Sequence, residues 1–415
     1  MCFRPDICLC FSPLLHCDSM TYRSLGIVSA LLHFFVGLRL VYGLQGHPAG
    51  QWTLSAVLLL SALLLPLGMI GSRLYRPPWG DRFSWLGLLL MGFFSSLLVL
   101  TLVRDVVLLV LRLLEAVWQA GELPWPAMYV GSVNTVLGAA SLVTLLGFLS
   151  ARRTARVVRV DVPIKGLPKA LVGFSVVQIS DVHVGPTIKH GYVQRIVERV
   201  NALQADMVAV TGDLVDGSVA DLAVHVAPLA GLKSLHGTFF VTGNHEYYSG
   251  AQAWIAELRR LGITVLLNEH VVLHHGRHSP NGGDAQDDSQ LMAPLVLAGV
   301  TDFTAHHFLP AHRSDPVLAL EGAPEGAPVR LLLAHQPRSA EAAAKAGFDV
   351  QLSGHTHGGQ FYPWNLFVRF QQPFTSGLHR MGCMWVYTSR GTGYWGPPKR
   401  FGAPSEITQI RLVAG

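Results

Sequence analysis

Gly354-His355-Thr356-His357-Gly358-Gly359 follows directly on the short apolar run 348–352. Side chains two apart on a strand emerge from one face, so if that run is a strand, His355 and His357 aim two imidazoles into one space. Small residues on both sides let the backbone turn sharply and keep bulk away from whatever is bound. A polar loop with two ordinary histidines has the same local spelling, and only the rest of the chain separates the two readings.

Upstream, the same arrangement recurs. Val176-Val177-Gln178-Ile179 is a β-branched run that ends in Ser180-Asp181-Val182-His183, with Asp181 and His183 again two apart. The stretch 192–203 places Val193, Ile196, Val197 and Val200 on one helical face. Met207-Val208-Ala209-Val210 follows and ends in Gly212-Asp213, with Asp216-Gly217 just beyond. A β-α-β unit is predicted, and ligands sit at the carboxyl ends of parallel strands. A helical stretch at 221–232 leads to Thr238-Phe239-Phe240-Val241 and then Gly243-Asn244-His245-Glu246; the run 329–334 ends in His335, and a helix at 340–346 returns to the opening stretch. Five predicted strands thus present Asp, Asn or His at their C-terminal ends, and convergence on one site is the simplest account. Singly, each has a plainer reading: an Asp after a strand caps a turn or helix, His335 before Gln336-Pro337 is a satisfied core histidine, and Gly243-Asn244-His245 is a turn.

Asp181, His183, Asp213, Asn244, His335, His355 and His357 together offer nitrogen and oxygen donors without thiolates. That set suits Mn, Fe or Zn better than calcium, which prefers oxygen alone, or a structural zinc, which takes cysteine. It is too large for one ion with an open position, yet sufficient for two divalent metal ions sharing a carboxylate. Two ions about 3.5 to 4 Å apart clamp a phosphoryl oxygen and generate hydroxide between them, which points to phosphoester hydrolysis.

Asp181-x-His183, Gly212-Asp213 with Asp216-Gly217, Gly243-Asn244-His245-Glu246, His335 and Gly354-His355-x-His357 stand in the order of the five blocks of the calcineurin-like metallophosphoesterases, which the chain resembles from about residue 163 to its end. The resemblance implies an α/β domain, a β-sandwich flanked by helices, and these roles: Asp181, His183 and His357 on one metal, Asn244, His335 and His355 on the other, Asp213 bridging them. It also implies attack on phosphorus by a dimetal-bridging hydroxide, with His245 the catalytic proton donor to the leaving oxygen. Asp216 is expected to orient the Asp213 loop or a histidine.

The N-terminal part has a different character. Apolar residues make up 50% of the 415-residue chain and charged ones only 14%, with the apolar excess concentrated before residue 150. Runs 25–44, 52–71, 85–103 and 127–149 each approach the ~20 residues a spanning helix needs, which predicts a multi-pass integral membrane protein. Arg4 and Arg23 precede the first run, Arg73, Arg76 and Arg82 lie between the second and third, and Arg152, Arg153, Arg156 and Arg159 follow the fourth; the alternate connections hold only Arg104 and Arg112. The positive-inside rule then places the N-terminus and the second half in the cytoplasm. The stretch 106–118 is read as an interfacial or buried continuation of the third helix, because Arg104, Asp105, Arg112 and Glu115 punctuate it; as a separate span it would reverse that assignment. Arg39 is read as reaching along its helix to water. The net charge of +5 comes from residues flanking apolar runs rather than from a continuous patch, so no nucleic acid partner is expected.

The domain reading is therefore a tail at 1–24 with Cys2, Cys8, Cys10 and Cys17, a membrane region at 25–150, a basic linker at 151–162, and the metallophosphoesterase-like domain at 163–415 with a disordered insertion near 276–290. Cys17 is either a lipid attachment point or inert. Cys383 stands alone in the second half, which excludes a disulfide framework there and fits a reducing compartment. His274, His275 and His278 are read as solvated loop histidines, and the segment 390–401 as a turn before the last strand, with Arg400 or Lys399 holding a second phosphate or a lipid headgroup as the alternative. The expected partners are a phosphoester substrate, including lipid-linked phosphates, and the lipid bilayer. A membrane adaptor or transporter using the same fold for partner binding is the competing function.

Overall fold

The computed structural model describes residues 14–74, 78–118, 123–276 and 292–415. Readings made for Cys2, Cys8, Cys10, the Cys17 side chain, His278 and the insertion beyond Gly276 lie outside the described residues. The chain divides into two compact units, Met1–Leu142 and Val143–Gly415.

The first unit is helical. α1 (Leu14–Tyr42), α2 (Pro48–Leu74), α3 (Trp79–Trp118) and α4 (Trp125–Arg152), which runs on into the second unit, are each long and apolar enough to cross a membrane. Residues 106–118 continue α3 without a break. Val36, Leu40, Leu58, Leu97 and Val133 make up its core, while many other leucines and valines stay exposed, as expected of helices whose outer solvent is lipid. Arg39 does not simply reach for water: its Nε lies 2.6 Å from Asp105 Oδ2, and Arg104 Nη1 lies 2.9 Å from Asp105 Oδ1. Charges far from water neutralise one another at lower cost than singly.

The second unit contains β1 (Arg156–Ile164), β2 (Ser175–Ile179), β3 (Met207–Val210), β4 (Thr238–Phe240), β5 (Thr264–Val265), β6 (Glu269–Gly276), β7 (Met292–Gly299), β8 (Arg330–Leu333), β9 (Val350–Ser353), β10 (Gly377–Met381), β11 (Met384–Thr388) and β12 (Glu406–Ala414). They form two six-stranded sheets, β1-β12-β2-β3-β4-β5 and β10-β11-β9-β8-β7-β6. β2 through β5 run parallel, as do β7, β8, β9 and β11. Helices α5 (His190–Asn201), α6 (Val219–Val226), α7 (Asn244–Ser249), α8 (Ala251–Arg260), α9 (Ala340–Ala346) and α10 (Asn365–Val368) complete it.

The period-two geometry of strands explains the layering. On β2 and β3, Val176, Met207 and Ala209 face the core between the sheets, with Leu297, Leu331 and Leu352 opposite. Val177, Ile179, Val208 and Val210 face outward and are covered by Val193, Ile196, Val197 and Val200 of α5 and by Trp254 and Leu258 of α8. α9 covers the outer face of the second sheet through Ala340 and Ala343. The result is a β-sandwich flanked by helices. Gln178 breaks the apolar run: buried between the sheets, its Nε2 donates to Thr211 Oγ1 at 2.8 Å and across the sandwich to Ser353 O at 2.9 Å.

Candidate metal centre

Every donor predicted from the sequence leaves the C-terminal end of a strand. Asp181 and His183 follow β2, Asp213 follows β3, and Asn244 and His245 open α7 after β4; from the second sheet, His335 follows β8 and His355 and His357 follow β9. Backbone hydrogen bonds carry the pairing past the sheet ends: Asp181 N–H donates to Gly212 O at 3.0 Å, His183 N–H to Asp213 O at 3.2 Å, and Gly354 N–H to His335 O at 2.9 Å.

Asp181, His183, Asp213, His355 and His357 hold φ between 51° and 70°. Left-handed backbone at residues with a side chain costs about 1–3 kcal/mol each and persists only where the surroundings over-determine it. Gly354 is part of that support. A side-chain carbon there would collide with Ser180 Oγ and Asp181 Oδ2, so glycine lets the β9 loop lie against the β2 loop. His355 N–H then donates to both Asp181 oxygens, at 2.9 and 3.1 Å.

The side chains meet in overlapping groups of three. Asp181, His183 and His357 each bring one ligand atom within 4.8 Å of the others, as do Asp213, His335 and His355, and also His183, Asp213 and His245. Asp213 Oδ2 lies between the groups, 3.1 Å from His335 Nε2, 3.9 Å from His183 Nε2 and 4.0 Å from His245 Nε2. Ring nitrogens face each other within them: His183 Nε2 is 3.0 Å from His357 Nε2, and His335 Nε2 is 3.2 Å from His355 Nδ1. Asn244 is buried, and its Oδ1 has no hydrogen-bond partner among the described residues. Converging ring nitrogens, two buried carboxylates and an orphaned amide oxygen are a donor set that fits divalent cations of the Mn, Fe or Zn type.

Burial would raise the Asp213 carboxyl, yet His335 and His245 hold it well below the ordinary range, and the same pairing lifts buried His335 well above an ordinary imidazole. Burial raises Asp181. It lowers His355 to about 3, and burial together with Arg400 lowers His357 well below its usual value. Neutral imidazoles are the form that binds cations.

Three further residues complete the site without belonging to the predicted donor set. Asp216 Oδ1 accepts from His183 Nδ1 at 3.1 Å and His245 Nδ1 at 2.6 Å, so it orients two histidines at once. Burial opposes its charge, but those two rings hold its carboxyl below the ordinary range. His245 in turn is lowered by burial and lifted more strongly by Asp213 and Asp216, to about 9. Glu246 accepts from the backbone N–H of Asp213 (3.0 Å), Leu214 (2.7 Å) and Gly243 (2.7 Å), clamping the β3 and β4 loops together; burial and the neighbouring Asp213 push its carboxyl up to about 8. Arg400 is buried and donates to the carbonyls of His357 (2.8 Å), Arg390 (2.7 Å) and Gly393 (3.0 Å). A second phosphate or a lipid headgroup on Arg400 or Lys399 is therefore not what these side chains serve: both are buried, and the Lys399 ammonium lies 4.9 Å over the Phe361 ring.

His245 lines the opening. Its side chain is 16% exposed where that of His335 is 0%, and Tyr248 and Trp395 stand against it with ring centroids 5.1 and 5.8 Å away. His274 and His275, read as loop residues, belong instead to β6, where His275 Nδ1 lies 3.2 Å from His236 Nε2.

Residues 174–359 match the family model of the calcineurin-like phosphoesterases. The chain is 40% identical to a Bos taurus protein named transmembrane protein with metallophosphoesterase domain, over 70% of this chain and 62% of that one. It is 36% identical to a Danio rerio protein of the same name, over 66% of this chain and 60% of that one. An uncharacterized metallophosphoesterase of Campylobacter jejuni is 33% identical over 66% of this chain and 68% of its own length. The chain thus spans about 60% of the length of the two vertebrate relatives. With its five blocks gathered at one end of the sandwich, the chain belongs to the calcineurin-like phosphoesterase family.

Proposed function

We propose that the protein is a membrane-held, metal-dependent hydrolase of phosphomono- or diesters. The observation that carries this reading is the position of Asp213 Oδ2 between two groups of donors drawn from both sheets. Asp181, His183 and His357 would hold one divalent ion, and Asn244, His335 and His355 the other, with Asp213 shared. Such ions supply Lewis acidity toward phosphoryl oxygens and acidify water. The chain's own residues do the rest. His245 turns Nε2 toward the cluster while Asp216 holds Nδ1, so a proton on Nε2 passes to the leaving oxygen along a fixed direction. Because Asp216 also bonds His183, the proton donor and the cluster keep a constant separation. Tyr248 and Trp395 flank the opening and restrict the approach of the leaving group. Arg152 at the end of the fourth apolar helix and Arg153, Arg156 and Arg159 after it support a cytoplasmic second unit.

The test is turnover by the purified full chain, loaded with Mn²⁺, Fe²⁺ or Zn²⁺, on an aryl phosphate monoester and on a diester. Metal-dependent hydrolysis is expected, reduced on the order of a hundredfold or more in Asp213→Asn. If wild type and Asp213→Asn are equally inert while partner binding persists, the protein is a membrane adaptor instead.

A further inference from the structure

The segment after His357 does not resemble a water-facing surface. Between Phe361 and Ser376 the only charged residue is Arg369. Tyr362, Trp364, Leu366, Phe367 and Phe370 are exposed, Phe367 by 55% and Phe370 by 74%. The Trp364, Phe367 and Phe370 rings succeed one another with centroids 5.9 and 6.5 Å apart, and the Arg369 guanidinium lies 5.2 Å over Phe370. α10 and its flanks thus form one apolar ridge with a cation at its edge. A contiguous exposed patch of this kind marks a contact surface, and tryptophan and tyrosine beside arginine is the composition found at lipid headgroup level.

Placement indicates what covers the ridge. Residues 143–152, the last turns of α4, belong to the second unit, and Leu145, Leu146 and Leu149 on them are exposed. Gly147 O accepts from Arg400 N–H at 2.8 Å, and Tyr362 N–H donates to Phe401 O at 3.0 Å. The root of the ridge is therefore two backbone hydrogen bonds from α4. It meets that helix roughly 8 Å before its end, from a rise of about 1.5 Å per residue. On its other side the ridge abuts the candidate site: the Asn365 backbone occupies the space a side-chain carbon on Gly359 would need. Gln360 Nε2 donates to Trp395 O, and its Oε1 accepts from Trp395 N–H, both at 2.8 Å, which ties this root to the ring beside His245.

We propose that the ridge from Tyr362 to Phe370 is seated in the headgroup layer of the bilayer that α4 crosses, and that it turns the mouth of the metal cluster toward lipid. The substrate class is then a phosphate ester carried on a membrane lipid, a clause that rests on the hydrolase reading; the seat of the ridge does not.

The test uses the full chain in phosphatidylcholine and phosphatidylserine nanodiscs, with its five cysteines replaced by serine. A nitroxide is placed at Phe367→Cys or, as an aqueous reference at the opposite end of β4, at Leu235→Cys, which is 70% exposed in the parent. Power saturation is read with oxygen and with a water-soluble nickel chelate. Position 367 is expected to show a clearly higher ratio of oxygen to nickel relaxation than position 235. A ratio at 367 no higher than at 235 overturns the proposal, as does spin–spin broadening at 367, which would seat a second copy there. In a second arm, Phe367→Asp with Phe370→Asp is expected to lower turnover of phosphatidate in the same discs on the order of tenfold per ring, leaving a soluble aryl phosphate unchanged. Equal loss on both substrates, or no loss on either, overturns the substrate clause. If wild type hydrolyses neither substrate, the hydrolase reading fails, and the nitroxide data still decide the seat of the ridge.

Discussion

Asp216 shows how much one carboxylate arranges. By accepting from His183 and His245 together it sets two rings with a single oxygen, Oδ1, and Asp216→Ala removes that shared acceptor. The expected outcome is a loss of about 10- to 100-fold in metal affinity or turnover with the fold intact, checked by metal titration beside kcat. Lys399 provides a pH test away from the cluster. Burial lowers its ammonium from 10.5 to about 8, so between those values the unfolded chain binds the proton and the folded chain does not. The Lys399 contribution to stability should therefore rise with pH across that window. Lys399→Met should remove that contribution, seen as a wild-type minus variant difference that grows with pH in denaturant unfolding at a series of pH values. At this scale the donors were legible because polar residues closing apolar runs stand out. Glu246 and Arg400 were not, because their partners are backbone groups of loops distant in sequence.

Among the elements, alternation of strand runs and helix faces was readable, down to the face of α5 that carries Val193, Ile196, Val197 and Val200. The assignment of strands to sheets was not. β12, the last strand, lies between β1 and β2, and the strands bearing donors divide between the two sheets; such pairing depends on partners hundreds of residues apart, which no local period encodes. Gln178 marks the same gap, an amide in a β-branched run whose use appears only once Ser353 stands opposite. Gln178→Leu leaves the Ser353 carbonyl and Thr211 hydroxyl with one partner fewer in a buried place. It should destabilise the protein by about 1–3 kcal/mol, measured as a shift of the denaturation midpoint at unchanged slope.

For the whole molecule, the compositional break near residue 150 separated an apolar helical part from an α/β part, and the contact boundary falls between Leu142 and Val143, within α4. The last turns of α4 are bonded within the second unit: Arg152 Nη1 donates to Thr187 O at 2.9 Å and Tyr192 Oη to Ala151 O at 3.3 Å. Divalent ions held by the folded state alone would add stability that grows with the logarithm of their concentration. Chelation should accordingly lower the unfolding temperature and raise amide exchange at residues 181–183, 213–216 and 355–357, and returning Mn²⁺ or Zn²⁺ should reverse both. The split of donors between sheets also fixes when the centre can form. Asp181, His183 and Asp213 come from the first sheet, and His335, His355 and His357 from the second. A nascent chain on the ribosome thus has His183, Asp213 and His245 from the first sheet, but lacks the full donor set until its ninth strand has emerged and the sandwich has closed.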